Sequence, residues 1–233
     1  MAHLVWDWNG TLLDDLTLVV AATNSSLATV GGPSVTAEEH RRDYRRPISA
    51  YYEHVLQRTL MMGEFAALDR AFHDAYRRGL SHTGLVADAM DAIAAWPGTQ
   101  SLLSMFFHDE LVPAVAARGL NAHLSRVDGL RDTLGGGSKA PHLRAHLNAL
   151  GLRGDECVLI GDSVDDADAA DHVGADVVLY AGGFTHESTL RATGRPVATT
   201  LVEAVNLALD ARKGTFHTVS GHEGHLPSVG SRP

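Results

Sequence analysis

The chain opens with a compact apolar run, residues 2–6, that stops at Asp7. A short apolar run bounded by turn residues reads as a buried strand. Beyond it the period changes. Leu16, Val19, Val20, Leu27 and Val30 are spaced for one face of a helix within residues 10–30. Gly31, Gly32 and Pro33 stop that helix. Thr36 and Glu39 form a T-x-x-E capping box that predicts the next start, and Pro47 breaks the helix that follows. Residues 48–60 and 64–80 read as two more helices, the second with Phe65, Leu68, Phe72 and Tyr76 at helical spacing. No strand is expected between Asp15 and Leu85.

After Trp96-Pro97-Gly98 strand and helix patterns alternate. Strands are expected at 100–105, 123–127, 156–162, 176–180 and 196–199. Helices are expected at 108–120, 138–152, 165–175, 186–194 and 201–211. Such alternation predicts an α/β fold, a three-layer Rossmann-like parallel sheet with helices on both faces. The first strand belongs to the same sheet, so the helical block is an insertion. The expected organisation is a core of residues 1–14 and 86–211, a helical cap of residues 15–85, and a disordered Gly/Ser/His/Pro tail of residues 212–233. His217, His222 and His225 in that tail are read as tail composition, not as a metal site.

Composition narrows the function. A chain of 233 residues, 45% of them apolar, can bury one large domain or a core with an inserted module. A net charge of −9 disfavours a nucleic-acid partner. Cys157 is the only cysteine, so no disulfide can form within the chain, which fits a reducing, cytoplasmic setting. No apolar stretch approaches the roughly 18 residues of a membrane span, and no signal peptide or membrane partner is expected. Lys139 and Lys213 are the only lysines, against 17 arginines. The chain does not disclose its oligomeric state.

In open parallel sheets, sites form at the carboxyl ends of the strands. Asp7 ends the first strand, Ser104 ends the second, Lys139 begins a helix and Asp162 ends "CVLIG", with Asp165 and Asp166 just beyond. Unpaired carboxylates are costly to bury, and Asp7 and Asp162 on neighbouring strands would repel each other. A divalent cation between them resolves this, and hard oxygen ligands suit Mg²⁺. Asn9-Gly10-Thr11 opens a turn whose backbone N–H groups could cradle an anion. A metal, a lysine, a hydroxyl and backbone donors around one carboxylate suit a phosphoryl group held against a nucleophile. Taken singly, the same acids also suit helix starts, where the dipole favours them.

In these motifs and their order the sequence resembles the haloacid dehalogenase-like hydrolase superfamily. "DWNGT" is similar to its Asp-x-Asp-Gly-Thr motif, Ser104 and Lys139 to its second and third motifs, and "GDSVDD" to its fourth. The helical block falls where that superfamily inserts its first type of α-helical cap, and the look is closest to phosphoglycolate-phosphatase-like members. The resemblance implies that Asp7 attacks phosphorus and forms an aspartyl-phosphate. It implies Mg²⁺ held by Asp7, Asp162 and the Asn9 backbone carbonyl, with Asp166 contributing directly or through water. Ser104 and Lys139 would hold the phosphoryl oxygens, with Gly10 and Thr11 in the turn. The expected activity is Mg²⁺-dependent hydrolysis of a small phosphorylated metabolite.

Asn9 departs from the pattern. The superfamily's second aspartate protonates the leaving group and then activates water, and an amide cannot. Three outcomes stay open: a phosphatase that is slow or takes good leaving groups such as acyl phosphates, a proton supplied by another group, or a phospho-ligand-binding or regulatory protein with little turnover. His108, which follows Ser104 closely, is a candidate for that proton. The cap has no lysine for Schiff-base carbon–phosphorus cleavage, and the intact acidic fourth motif disfavours dehalogenation. Residues 16–84 hold eight arginines against seven acids. Arg45 and Arg46 are candidates for an anionic substrate tail, their alternative being a solvated helix face. Tyr51 and Tyr52 read as cap core.

Overall fold

The computed structural model describes residues 2–131 and 137–212. Of the expected tail, Arg212 instead ends the last helix, and residues 213–233, with the three histidines, lie outside the described residues.

Six strands, β1 (His3–Trp6), β2 (Gln100–Phe107), β3 (Val127–Leu130), β4 (Cys157–Gly161), β5 (Asp176–Tyr180) and β6 (Val197–Ala198), form one sheet. Its order is β3-β2-β1-β4-β5-β6, and every pairing is parallel. The central strands are largely apolar because helices cover both faces. Leu4, Trp6, Leu102, Val158 and Ile160 pack toward α5 (Ala89–Ala95), α6 (His108–Ala117) and α10 (Leu201–Arg212). Val5, Leu103, Cys157 and Leu159 point to the other face, against α7 (Ala140–Leu150) and α8 (Val164–Val173). The short α9 (Glu187–Ala192) precedes β6. The chain is thus a three-layer α/β/α structure.

Between β1 and β2 lies the helical insert, with α1 (Leu16–Ala28), α2 (Ala37–Asp43), α3 (Ile48–Leu56) and α4 (Glu64–Leu80). It carries a small core of its own around Leu27, Tyr52 and Leu68. Its two connections run side by side: Leu13 bridges Leu85 antiparallel, Asp14 N–H donates to Gly84 O at 3.1 Å, and Val86 N–H donates to Leu12 O at 3.0 Å. The Thr36–Glu39 capping box forms as its sequence predicts.

Several expectations shift. The second strand runs past residue 105 to Phe107, and the third begins at Val127, where it was expected to end. Its sequence, VDGL, is only half-buried at the sheet edge and carries a weak apolar signal. Helix α1 starts at Leu16, because residues 8–13 are folded into a turn. Helix α2 ends at Asp43, four residues before Pro47, and α3 ends at Leu56 as Gln57 turns left-handed. Helix α5 was not expected.

A buried hydrogen-bond chain ties β1, β2, β3 and α7 together. Asp128 accepts from His146 Nδ1 at 2.8 Å, which leaves His146 Nε2 to accept from Ser101 Oγ at 2.7 Å. Ser101 then accepts from His3 Nε2 and His3 Nδ1 from Thr99, both at 2.7 Å. Burial holds both imidazoles neutral, pushing His3 down to about 4 and His146 below its usual range, so one tautomer pattern satisfies every member. This network anchors the helix whose N-terminus carries Lys139. Among the described residues no helix is long and apolar enough to cross a membrane.

Candidate active site at the strand ends

The strand order reverses direction around β1, whose neighbours are β2 and β4, and crevices form at such switch points. Asp7 follows the last residue of β1 and Asp162 the last residue of β4. Ser104 lies two residues past Leu102, the last β2 residue paired with β1, where the register against β3 also shifts. Lys139 caps α7 and points into the same place. The structure therefore brings Asp7, Ser104, Lys139, Asp162 and Asp166 around one cavity of about 30 Å³, which Asp165, Asn9 and Arg46 also line.

Lys139 Nζ donates to Asp7 Oδ1 and to Asp166 Oδ1, both at 2.5 Å. Asp166 Oδ2 accepts from the Ser163 amide at 3.0 Å and hydroxyl at 2.6 Å, closing the capping box of α8. The helix-start role and the site role thus coincide in one side chain. Asp162 accepts from Phe184 N–H at 2.6 Å and from Thr11 Oγ1 at 3.3 Å. Gly10 permits this closeness: its φ is +73°, and a Cβ there would meet Asp162 Oδ2 at 2.5 Å.

Charge is unbalanced here. Asp7, Asp162, Asp165 and Asp166 face two cations, Lys139 and Arg46, which leaves two negative charges over. Burial pushes Asp7 up to about 6 against the pull of Lys139, and burial with the Asp7 and Asp166 charges lifts Asp162 well above the usual carboxylate range. Burial works against the Lys139 charge, but Asp166 and Asp7 hold its ammonium above the ordinary lysine value. One ligand atom from each of Asp7, Asp162 and Asp166 can be chosen so that all lie within 4.8 Å of one another. The donor set is hard oxygen with a twofold charge deficit, so a divalent cation such as Mg²⁺ fits it.

Asn9 is held on three sides. Its Nδ2 donates to Asp15 Oδ2 and to Tyr76 OH, both at 2.8 Å, and its Oδ1 accepts from Ser104 Oγ at 3.1 Å. Tyr76 OH also donates to Asp15 Oδ2 at 2.6 Å, and Gly10 N–H donates to Asp15 Oδ1 at 2.7 Å. Asp15 is 1% exposed, and burial pushes its carboxyl up to about 6 against the hydrogen bonds of Tyr76 and Asn9. An acceptor-only partner requires an amide N–H₂ at position 9, which is why an asparagine fits there. Asp15 and Tyr76 escaped sequence reasoning because they lie 6 and 67 residues from Asn9.

Three expectations are corrected. The N–H groups of Gly10 and Thr11 do not form an open anion cradle, because Asp15 takes the first and Trp8 O the second. Of the two cap arginines, Arg46 enters the site, its Nε 3.5 Å from Asp165, whereas Arg45 stays exposed and donates to the Asp43 carbonyl. Tyr44, which precedes both, packs its ring edge-on against Phe184. His108 faces a different recess, beside Arg77 and Leu130, and its Nδ1 accepts from Gly129 N–H at 3.1 Å. It offers no proton at Asn9.

A second cavity, of about 110 Å³, adjoins the first between insert and sheet. Asn9, Tyr44, Arg46, Met105 and Phe184 line both. The core expectation for Tyr51 and Tyr52 holds, each being 2% exposed, yet both also wall this cavity. Arg41 closes the seam, donating from Nε to Gly183 O and from Nη2 to Gly182 O, both at 2.8 Å.

Known proteins share this build. The HAD-hydrolase-like family model matches residues 136–204. A curated phosphoglycolate phosphatase from Rhodospirillum rubrum is 28% identical over 132 residues, 51% of this chain and 54% of that protein. The chain thus spans about half the length of that curated relative. A haloacid dehalogenase-like family hydrolase from Streptococcus pneumoniae superposes with a TM-score of 0.75 at 16% identity, covering 89% of this chain and 98% of that one. A hydrolase from Pseudomonas syringae gives 0.74 at 20% identity, covering 91% and 99%. With its parallel sheet, its ordered strand-end residues and a helical insert between β1 and β2, the chain has the fold of haloacid dehalogenase-like hydrolases and is similar to their phosphoglycolate-phosphatase-like members.

Proposed function

We propose that the chain is a Mg²⁺-dependent phosphatase that acts on a small phosphorylated metabolite through an aspartyl-phosphate on Asp7. The observation that carries this is the buried Asp7 carboxylate, paired with Lys139 at 2.5 Å and grouped with Asp162 and Asp166 beneath the cap. Asp7 Oδ would attack phosphorus as the ester P–O bond breaks, and the leaving oxygen would depart with the bonding pair. Water would then cleave the acyl phosphate and free Asp7. Lys139 would carry part of the phosphoryl charge, and Arg46 would face it from the cap. Bound at Asp7, Asp162, the Asn9 carbonyl and Asp166, the metal would supply charge neutralisation for the phosphoryl oxygens.

The Asn9 side chain has no proton to give, and its amide N–H₂ and Oδ1 are already hydrogen-bonded, leaving only its backbone carbonyl for the metal. Turnover therefore favours leaving groups that depart without protonation. That same saturation supports a second reading, a phospho-ligand-binding or regulatory protein with weak catalysis.

Phosphate release from acetyl phosphate and a panel of phosphate esters, with and without Mg²⁺, separates the two. The expected result is Mg²⁺-dependent release that Asp7→Asn abolishes. Binding of the same compounds with no release from any of them would favour the second reading.

A further inference from the structure

The 110 Å³ cavity beside Asn9 has an unusual lining. Tyr51, Phe72, Tyr76 and Phe106 contribute aromatic walls, and His40 and His73 contribute imidazole rings. His40 Nε2 and His73 Nδ1 are buried with no hydrogen-bond partner among the described residues. Buried polar atoms are normally paired, so each has a hydrogen bond to offer. Burial pushes His40 down to about 4, so its ring is neutral near pH 7. Formal charge is scarce. Asp69 stands 3.6 Å from His73, and Arg46 sits at the mouth shared with the acidic cavity, 3.5 Å from Asp165. A second carboxylate on the substrate would find no free cation at the inner end and would approach Asp69. The volume is close to the ~150 Å³ that accepts a benzene ring in an engineered cavity.

From this geometry we propose that the cavity is the leaving-group pocket and that the substrate is a phosphate ester of an uncharged phenol, whose phenolate leaves without a proton from Asn9, with a polar substituent for His40 or His73. This rests on the phosphatase reading and sharpens it, because it sets a ring against the two-carbon acid named in the Rhodospirillum relative. The ring packs among Tyr51, Phe72, Tyr76 and Phe106, while Asp7 meets the phosphorus on the far side of Asn9.

The test compares benzyl phosphate, ethyl phosphate and 2-phosphoglycolate on the full chain with Mg²⁺, with acetyl phosphate as a ring-free reporter of the chemistry. Burying a ring is expected to give benzyl phosphate a kcat/KM roughly 10- to 100-fold above ethyl phosphate, mostly in KM. 2-Phosphoglycolate should fall below both. Ile48→Trp, which places an indole in the cavity, should bring the benzyl-to-ethyl ratio close to one. The ratio is internal to each protein, so a partial loss of folded material does not mimic it. Turnover of acetyl phosphate with equal constants for benzyl and ethyl phosphate overturns the pocket and leaves the phosphatase standing. If benzyl and ethyl phosphate are both inert, calorimetric affinities decide the pocket: tighter benzyl phosphate supports it and equal affinities overturn it; if acetyl phosphate is inert as well, the phosphatase reading fails.

Discussion

At the scale of single residues, the Asn9–Asp15 pair would govern turnover on the phosphatase reading. An acid at position 9 would stand about as close to Asp15 as the amide does, and two such carboxyls share a proton. Asn9→Asp is therefore expected to raise turnover of an alkyl ester such as benzyl phosphate, by up to about 10²–10⁴-fold, the usual worth of general acid–base help. Adding Asp15→Asn removes the neighbouring charge, so the new carboxyl loses its proton at lower pH. The pH–rate optimum of the double variant should then lie below that of the single one. The raised acids also link metal to pH. Asp7 and Asp15 both sit at about 6 in the folded chain, above the value near 4 of a free aspartate. Their protonation in the apo fold contributes stability that is full below about pH 4 and lost as pH rises through about 6, near 3 kcal/mol for Asp15 alone. Mg²⁺ competes with the protons on Asp7 and Asp162, so the rise in melting temperature on adding Mg²⁺ should be larger at about pH 7.5 than at about pH 5. The strand-end acids were legible in the sequence, since each follows an apolar run directly. Asp15 was not, because what makes it special is Tyr76 on a distant helix.

At the scale of elements, the parallel strands announced themselves because burial on both faces demands unbroken apolar runs, as in β4. The edge strand β3 is half-exposed and polar, and its start was misplaced for that reason. Helix α5 hides in an alanine-rich stretch with little contrast between its faces. The relay from Thr99 through His3, Ser101 and His146 to Asp128 left no local signal either, since its members come from four separate segments. His146→Leu should show its worth. It removes the acceptor of the Ser101 hydroxyl and one donor to Asp128, which keeps Arg126, and so costs about 1–3 kcal/mol for the buried hydroxyl left unpaired. Urea unfolding should show a lower midpoint with an unchanged slope. A midpoint equal to that of the parent would mean that solvent satisfies the chain.

At the scale of the whole molecule, insert and sheet meet over the cavities, and Arg41 holds them across the seam. The acidic cavity is a narrow space of about 30 Å³ beneath the insert. Opening of such inserts sets turnover in many enzymes. Arg41→Ala is expected to raise amide hydrogen exchange at residues 182–186 and in α2, and to raise KM more than it lowers kcat. Unchanged exchange would show that the remaining contacts, such as Tyr44 against Phe184 and the His186 N–H bond to Arg41 O, suffice to hold the seam. The paired connections at Leu13 and Leu85 carry a wider consequence. Because the two ends of the insert touch, a two-residue hairpin turn could join them and leave the sheet's strand order intact. On the proposed phosphatase reading, catalyst and selector would be separable modules. Asp7, Lys139, Asp162 and Asp166 belong to the part that would remain, whereas Tyr51, Phe72 and His73 belong to the part that would leave. Such a chain can change its substrate by exchanging the insert without rebuilding the strand ends beneath it.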